Sequence, residues 1–549
     1  MDTSKTIKPL PKNIPFAWIG IFWLLYFLRF GYDFATSDQD EMLPYLYRLL
    51  DPNLFGSDWF VRSLTESFNV RTYFVYSLYL PSLVLPIPLV VAIAYLVCWT
   101  VIIQAVYRIA LSIIREPLAA LMATFLTIVG FHKTTLGAND VVYNLLVPEL
   151  VSWTFVLPAV LAFWNKKMQN AALLLGIGTC FHLITGMTTG IVLAILTVWQ
   201  VREQALSRRS GFLFLGFYAL SSLPIVGPIA FQQLTSKPAI TLANLFGTGS
   251  PFEILVFFRL PLHHLFGYNL TRTLGWLALV ILGAAAFYFL QKGGVLRHQT
   301  FLKRFSFVSG LLMGLAFFGV EVFQSLAVAK FQFYKLAVWL KLFAVVLISG
   351  ATIRFLKYRL SSIIDKINTY AFHKTLWWQT FLVLLFLGFA VGVWQKNDRL
   401  FEKAGPFCYA ASSLSEMEQW IYKNTPQNAL FAIPPSNTTF RSNAKRSIIV
   451  NWLSFPFRDP EMVFWRHQLQ QVAPLVKQPI PMRQVGATLD AAFHEHAQPN
   501  NLQPEWRWAK VIPQKPDYIL RNKNLEKRAY RLAIAHQNQE WVLYKWPKL

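Results

Sequence analysis

The chain has 549 residues, is 55% hydrophobic and only 14% charged, and contains 47 Phe, 19 Trp and 21 Tyr. A water-soluble protein carries about 25% charged residues, and the apolar residues here run in blocks of roughly twenty, which excludes a soluble globular fold and indicates a polytopic membrane protein. The net charge of +24 would suit nucleic acid if it were clustered in one basic domain, but it is spread among the segments between apolar blocks, which points to membrane topology instead.

Residues 1–12 are polar and basic, and the run 14–30 lacks a small-residue cleavage site, so it reads as a retained first span over 15–30 rather than a signal peptide. A segment of 31–72 follows, too polar for hydrocarbon. Its stretches 42–50 and 58–64 mix aromatic, aliphatic and charged residues, as short helices lying in an interface do. Pro81, Pro86 and Pro88 break the first part of the next apolar block and place span 2 near 87–107. Span 3 is expected at 117–131, a polar loop runs to Pro148, and span 4 covers 149–164. The block 171–200 is too long for one untilted span and reads as two short helices meeting at 182–188. Span 7 is expected at 211–231, an outer loop at 232–268, spans 8, 9 and 10 near 270–290, 306–329 and 336–353, and span 11 at 376–394.

Orientation follows from the basic residues. The proposed cytoplasmic segments 1–14, 107–117, 165–169, 201–210, 291–304 and 354–374 hold 19 Lys or Arg, and the outer segments 31–72, 132–149, 235–268 and 330–335 hold 8. That bias puts the N-terminus in the cytoplasm and the tail outside. The tail, 395–549, has the texture of a small α/β domain: 412–424 is amphipathic at helical spacing, while 429–433, 447–450 and 541–544 read as strands. The expected fold is therefore an all-α polytopic bundle of about ten or eleven transmembrane helices over 1–394, with an extracytoplasmic α/β domain over 395–549. Cys98, Cys180 and Cys408 are scattered, so neither a disulfide framework nor a thiolate metal site is expected.

Four groups could carry chemistry. Asp33, Asp38, Asp40 and Glu41 follow span 1 directly. Asp38 and Asp40, separated by one residue, could hold a divalent ion or supply a general base, and the plainer reading is a solvated acidic loop. The loop after span 3 carries His132, Lys133, Asn139, Asp140 and Glu149, the last at the start of span 4, where a carboxylate is paired or reaches the headgroups. Arg259-Leu260-Pro261-Leu262-His263-His264 suits a phosphate or a structural role equally. Glu321, Lys330, Gln332, Lys335 and Lys341 line spans 9 and 10. Glu321 and Lys341 are expected to face the bundle, and Lys330 and Lys335 could simply snorkel. His182 sits at the expected hairpin tip. There is no Gly-rich phosphate loop, no His-Glu-x-x-His and no matched pair of broken spans, which argues against an ATP-driven or secondary transporter.

A span followed by a long acidic outer loop, acids in the second outer loop, many spans and an exported tail resembles the GT-C superfamily of membrane glycosyltransferases, which use polyprenyl-phosphate sugars. The text Ser37-Asp38-Gln39-Asp40-Glu41 through Asp51-Pro52-Asn53-Leu54-Phe55 is similar to a poorly characterised bacterial branch. So are Arg259 to His264 and the tail stretches 424–434 and 440–452. The resemblance implies that Asp38 or Asp40 is the catalytic carboxylate or, with a divalent cation such as Mg or Mn, a metal ligand. Asp140 would be the second-loop acid. Arg259, His263 and Lys335, with His264 and His182 beside them, would hold the donor phosphate. Implied partners are membrane lipid, a polyprenyl-phosphate sugar donor and a glycan, lipid or protein acceptor, with no nucleic acid, at a bacterial inner membrane. The tail lacks a carboxylate-rich motif, which argues against an oligosaccharyltransferase and leaves it as an acceptor-binding or packing domain. The alternatives are a non-enzymatic assembly subunit, a ligase or polymerase of lipid-linked glycans, and a transporter or flippase of such glycans.

Overall fold

The computed structural model describes residues 13–235, 239–367, 388, 412–474, 484–496, 516–525 and 532–546. Among them, six helices are long and apolar enough to cross a membrane: Ile87–Ile114, Leu183–Arg202, Arg208–Thr235, Leu270–Lys292, Gln299–Val322 and Leu326–Arg359. Four shorter apolar helices, Phe16–Phe30, Pro117–Gly130, Pro148–Trp164 and Met168–Phe181, accompany them. This is a membrane protein built as a helical bundle with a small C-terminal sheet. The expected span at 376–394 and Cys408 lie outside the described residues.

Local chemistry sets the helix ends. The first span, α1 (Phe16–Phe30), stops at Gly31, whose φ of 71° is readily adopted only without a side chain. The next membrane helices, α5 (Ile87–Ile114), α6 (Pro117–Phe125) and α7 (Pro148–Trp164), each carry proline in the first turn, where its missing N–H leaves no helical bond unmade. The expected hairpin within 171–200 is present: α8 (Met168–Phe181) and α9 (Leu183–Arg202) meet at His182, which takes an extended conformation. Gly186 on α9 sits so close to Thr179 that a Cβ would approach its Cα to 2.5 Å, so the two helices cross with backbones nearly touching. The expected single span at 306–329 is instead α14 (Gln299–Ala316) running through a π-turn, Phe317–Val322, followed by a separate short helix, α15 (Leu326–Phe331). The break comes where Ser325 caps the second piece by accepting from Val328 N.

The helix α16 (Ala337–Ile367) runs through the centre of the bundle. The most apolar stretch of the last spanning helix, which contains most of α16, is 78% buried, against 17% for α10 (Arg208–Thr235) at the rim. One end of the bundle gathers the basic turns: Arg304 pairs with Glu203, Lys357 with Glu116, and Arg297 N bonds to Ile113 O. The opposite end carries the long segment after α1, with α2 (Gln39–Leu50), α3 (Trp59–Glu66) and α4 (Thr72–Ser82), and also α11 (Ala239–Phe246), the π-turn Glu253–Arg259 and α12 (Pro261–His264).

The C-terminal unit is a five-stranded sheet in the order β2-β1-β3-β5-β4, where β1 is Leu430–Ala432, β2 Ser447–Ile448, β3 Tyr518–Asn522, β4 Ala533–Gln537 and β5 Trp541–Lys545. The β2-β1-β3 part is parallel and β3-β5-β4 antiparallel. Alternation along the strands splits the side chains between two cores. Phe431, Ile448, Leu520 and Leu543 pack against Met417 and Ile421 of the helix Ser413–Asn424. Leu430, Ala432, Ile519, Val542 and Tyr544 belong to a core that also contains Ala243, Phe252, Leu255, Val256 and Val320 of the bundle end. The sheet and the turns at this end of the bundle are thus built around one shared apolar layer.

Candidate functional site

The segment joining α1 to α2 is a tight, strained turn. Ala35 and Ser37 both hold positive φ, 58° and 53°, a region that costs a residue with a Cβ about 1–3 kcal/mol unless its surroundings enforce it. Gln39 ties the turn inward, accepting from Ala35 N at 2.7 Å and donating to Leu146 O at 3.1 Å. Asp33 receives Asn144 Nδ2 at 2.5 Å. At the crest stands Asp38, exposed and, among the described residues, without a side-chain hydrogen bond or ion pair.

Asp40, two residues on, is the opposite case. It is 1% exposed, and its Oδ2 accepts from Arg441 Nη1 at 3.1 Å, Asn451 Nδ2 at 2.5 Å and Ser454 Oγ at 3.0 Å. Arg441 also grips Asp58 in a bidentate pair, Nε to Oδ2 at 2.7 Å and Nη2 to Oδ1 at 3.1 Å. Asp58 in turn caps α3 through Val61 N and takes Ile448 N. Burial pushes the Asp40 carboxyl up against the pull of Arg441, since the better-seated Asp58 is the guanidinium's main partner. Burial lowers the Arg441 pKa, but Asp58 and Asp40 outweigh it and hold this cation above its ordinary range.

Next along, Glu41 pairs with Arg71 and accepts from Phe455 N at 3.1 Å. Arg71 Nη2 donates to Phe455 O at 2.9 Å. Burial raises the Glu41 pKa, opposed first by Arg71 and further by Arg259. Arg259 is 6% exposed and lies over the rings of Trp452 and Phe455 at 5.3 and 5.6 Å, with Nη2 on Leu453 O at 3.1 Å. Its charge is within electrostatic reach of Asp38 and Glu41, and its Nε has no partner among the described residues. Beside it, the buried Nδ1 of His263 and Nε2 of His264 are likewise without partners. Burial, reinforced by Lys335 and His264, pushes His263 down to about 3; burial and Lys335 do the same to His264. Both rings are therefore neutral at physiological pH. Gly137, at φ 83°, lets the loop 131–147 approach this point: a Cβ there would lie 3.0 Å from Asn139 Nδ2 and 3.7 Å from His263 Nδ1.

Deeper, two ion pairs pin the segment 131–149 to α16 and the 3-10 turn Phe333–Leu336 that precedes it. Lys341 Nζ donates to Asp140 Oδ1 at 2.7 Å and to Phe131 O at 3.1 Å. Asp140 also accepts from Lys133 N and Val141 N, with His132 Nδ1 at 3.3 Å. Lys335 Nζ donates to Glu149 Oε2 at 2.7 Å and to Asn139 Oδ1 at 3.1 Å. His182 Nδ1 accepts from Thr185 N at 3.2 Å, capping α9, and Thr185 Oγ1 reaches Glu149. Glu321 is at the outer π-turn, accepting from Phe266 N at 2.8 Å and Tyr334 OH at 3.2 Å. Lys330 pairs with Asp459 at 2.6 Å.

Asp38, Arg259, His263 and His264 lie at a polar junction between the bundle end and the C-terminal unit, and Lys335 is within electrostatic reach of both histidines. Asp140, His182 and Lys335, expected to act in acid or phosphate chemistry, also have partners inside the bundle. Asp40, expected as a base or metal ligand, is buried with Oδ2 on Arg441, Asn451 and Ser454, and its Oδ1 has no partner among the described residues. Among the described residues no group of three or more His, Cys, Asp or Glu gathers to hold a metal ion. Arg441, Asn451 and Arg71 were not expected to matter individually. The polar run 436–443 between two apolar strand candidates was the visible signal, because so many Asn, Thr and Arg residues in a compact fold need partners.

Residues 412–472 match a domain of unknown function (DUF6798). That stretch contains Arg441, Asn451, Ser454 and Phe455. No curated protein matches the chain. Among solved structures, the chain is similar to the Archaeoglobus fulgidus oligosaccharyltransferase tethered to an acceptor peptide containing an NVT sequon. The identity is 14%, with 92% of this chain and 69% of that one covered, and the TM-score is 0.41. A likeness of that strength assigns no activity to this chain.

Proposed function

We propose that this protein transfers a sugar from a polyprenyl-phosphate donor to an acceptor hydroxyl at the outer face of the membrane, with Asp38 as the proton-accepting carboxylate. The observation that carries the reading is the contrast in the segment after α1: Asp33, Asp40 and Glu41 are all engaged, whereas Asp38 is exposed and, among the described residues, unpaired, within electrostatic reach of the buried guanidinium of Arg259. A carboxylate so placed can take the acceptor proton as the acceptor atom bonds to the anomeric carbon. The bond from that carbon to the phosphate oxygen breaks, and the phosphate leaves with the bonding electrons. Arg259 and a neutral ring N–H of His263 would stabilise the charge that develops on it.

The orientation is part of the proposal. The basic turns at the far end of the bundle face the cytoplasm by the positive-inside rule, so the Asp38 end faces outward. A lipid phosphate stays at headgroup depth because hydrocarbon cannot solvate it, and Asp38 follows α1 by only eight residues. No step is routed through a metal ion. The test is binding of a polyprenyl phosphate to the purified protein in lipid nanodiscs. Loss of one charge-assisted hydrogen bond removes about 1.5–3 kcal/mol, so Arg259→Gln should weaken binding by about ten- to hundredfold. Unchanged binding would remove Arg259 from the donor site.

A further inference from the structure

We propose that the C-terminal unit positions Asp38, with Thr438 and Arg441 as the two positioning residues; the inference rests on Asp38 being the working carboxylate. The turn bearing Asp38 is held from both sides by one stretch of the C-terminal unit, residues 438–455. Before Asp38, Thr438 Oγ1 accepts from Ser37 N at 3.3 Å and bonds with Thr36 Oγ1 at 3.1 Å. After it, Arg441, Asn451 and Ser454 converge on Asp40, and the Phe455 backbone bonds to Glu41 and Arg71. The same stretch receives Arg259 Nη2 on Leu453 O. Acid loop and basic turn are thus fastened to a single short segment, and this segment fixes the register of Asp38 against Arg259.

Strain explains why such a grip is needed. Ser37 sits at φ 53° and Ala35 at φ 58°, conformations that residues with a Cβ leave unless held. Release of Thr438 lets Ser37 relax into the ordinary region and swings Asp38 away, although the helices on either side stay folded. The C-terminal unit thereby becomes part of the reacting site without touching substrate.

The test uses the full chain in lipid nanodiscs, with hydrogen exchange read over residues 33–41 and transfer measured in parallel. In Thr438→Ala, exchange at the amides of 37–41 rises by about tenfold or more while the helix Ser413–Asn424 keeps its protection. Transfer falls in kcat with KM for the donor unchanged, since a small misplacement costs about a hundredfold in rate. Adding Ser37→Asn, a residue that tolerates left-handed φ better than serine, restores protection and kcat toward wild type. Arg441→Lys, which keeps the charge but loses the bidentate grip on Asp58, gives an intermediate exchange rate. Unchanged exchange in Thr438→Ala, or no recovery with Ser37→Asn, overturns the positioning role. Should the wild type show no transfer, the enzymatic reading fails, and the exchange arm still decides whether 438–455 sets the turn.

Discussion

Arg441 and Asp40 are 401 residues apart in sequence and 3.1 Å apart in space, Nη1 to Oδ2, with neither side chain more than 1% exposed. Together with Asp58 they form a buried cluster of two carboxylates and one guanidinium that joins the membrane bundle to the C-terminal sheet. Removing one member of such a cluster leaves charge buried without compensation, at a cost of about 3–5 kcal/mol. Arg441→Met is therefore expected to lower the melting temperature of the detergent-solubilised protein by several degrees and to expose the junction to limited proteolysis. Replacing Asp40 and Asp58 by Asn in the same chain should recover part of the loss. A melting temperature unaltered in Arg441→Met would show that the cluster does not hold the two parts together.

In the C-terminal unit the carboxylate of Glu418 is buried with no cationic partner among the described residues. Glu418 accepts from Asn437 Nδ2 at 3.0 Å, Thr439 Oγ1 at 2.8 Å and Asn443 Nδ2 at 2.7 Å. Burial raises its pKa above 4.5 and these hydrogen bonds only partly oppose the shift. The folded form therefore binds the proton more tightly than the unfolded one. Stability contributed by this group is greatest at acid pH and falls as pH rises through the raised value. Asp40 and Glu41 are shifted the same way. The depressed His263 and His264 act in the opposite sense as pH rises toward the ordinary imidazole value, so the comparison isolates Glu418: between pH 4.5 and 8 the melting temperature of Glu418→Gln should rise relative to that of the wild type. A slope identical in the variant would contradict the assignment.

Within the bundle, Asp140 and Lys341 are both fully buried and 2.7 Å apart. Asp140→Asn leaves the Lys341 ammonium without its counter-charge, and about 3–5 kcal/mol of stability should be lost. The double variant Asp140→Asn with Lys341→Met should be more stable than the single one. That order, read by thermal unfolding in detergent, separates a structural pair from a catalytic acid, because a catalytic Asp140 would be stability-neutral on replacement by Asn.

Gly137 offers a local probe of the loop 131–147. Its φ of 83° strains any residue with a side chain, and a Cβ there would lie 3.0 Å from Asn139 Nδ2, so that amide must shift. Gly137→Ala should cost about 1–3 kcal/mol and shift Asn139 away from His263. Polyprenyl phosphate affinity measured on this variant should drop, whereas an unchanged affinity would place the loop outside the donor site.

Much of the architecture was legible because long apolar blocks bounded by prolines and basic turns leave few foldings open. Span 1, the helices flanking His182 and the strands near 429–433 and 541–544 came from periodicity and length alone. The break at 323–325 did not, because the apolar run continues across it and only the cap at Ser325 marks the bend. The site was half legible. Asp38 and Arg259 were visible as polar residues with no apparent partner at membrane exits. That Asp40 is bound while Asp38 has no partner among the described residues could not be read, since the distinction depends on Arg441, Asn451 and Ser454 arriving from some 400 residues away. Likewise the pairing of Asp140 with Lys341 and of Glu149 with Lys335 could not be read, because sequence does not reveal which lysine enters which loop.

The central claim is that the unpaired carboxylate of Asp38 does chemistry. Asp38→Asn keeps size and most hydrogen bonding but removes the charge, and general-base catalysis is worth about a hundred- to ten-thousandfold in rate. The measurement is turnover of a polyprenyl-phosphate sugar by the purified protein in lipid, with membrane extracts supplying the acceptor, alongside thermal unfolding of the same samples. The account predicts that Asp38→Asn loses turnover by about a hundredfold or more with an unchanged melting temperature, and that Asp40→Asn lowers the melting temperature. Wild-type turnover in Asp38→Asn would contradict it.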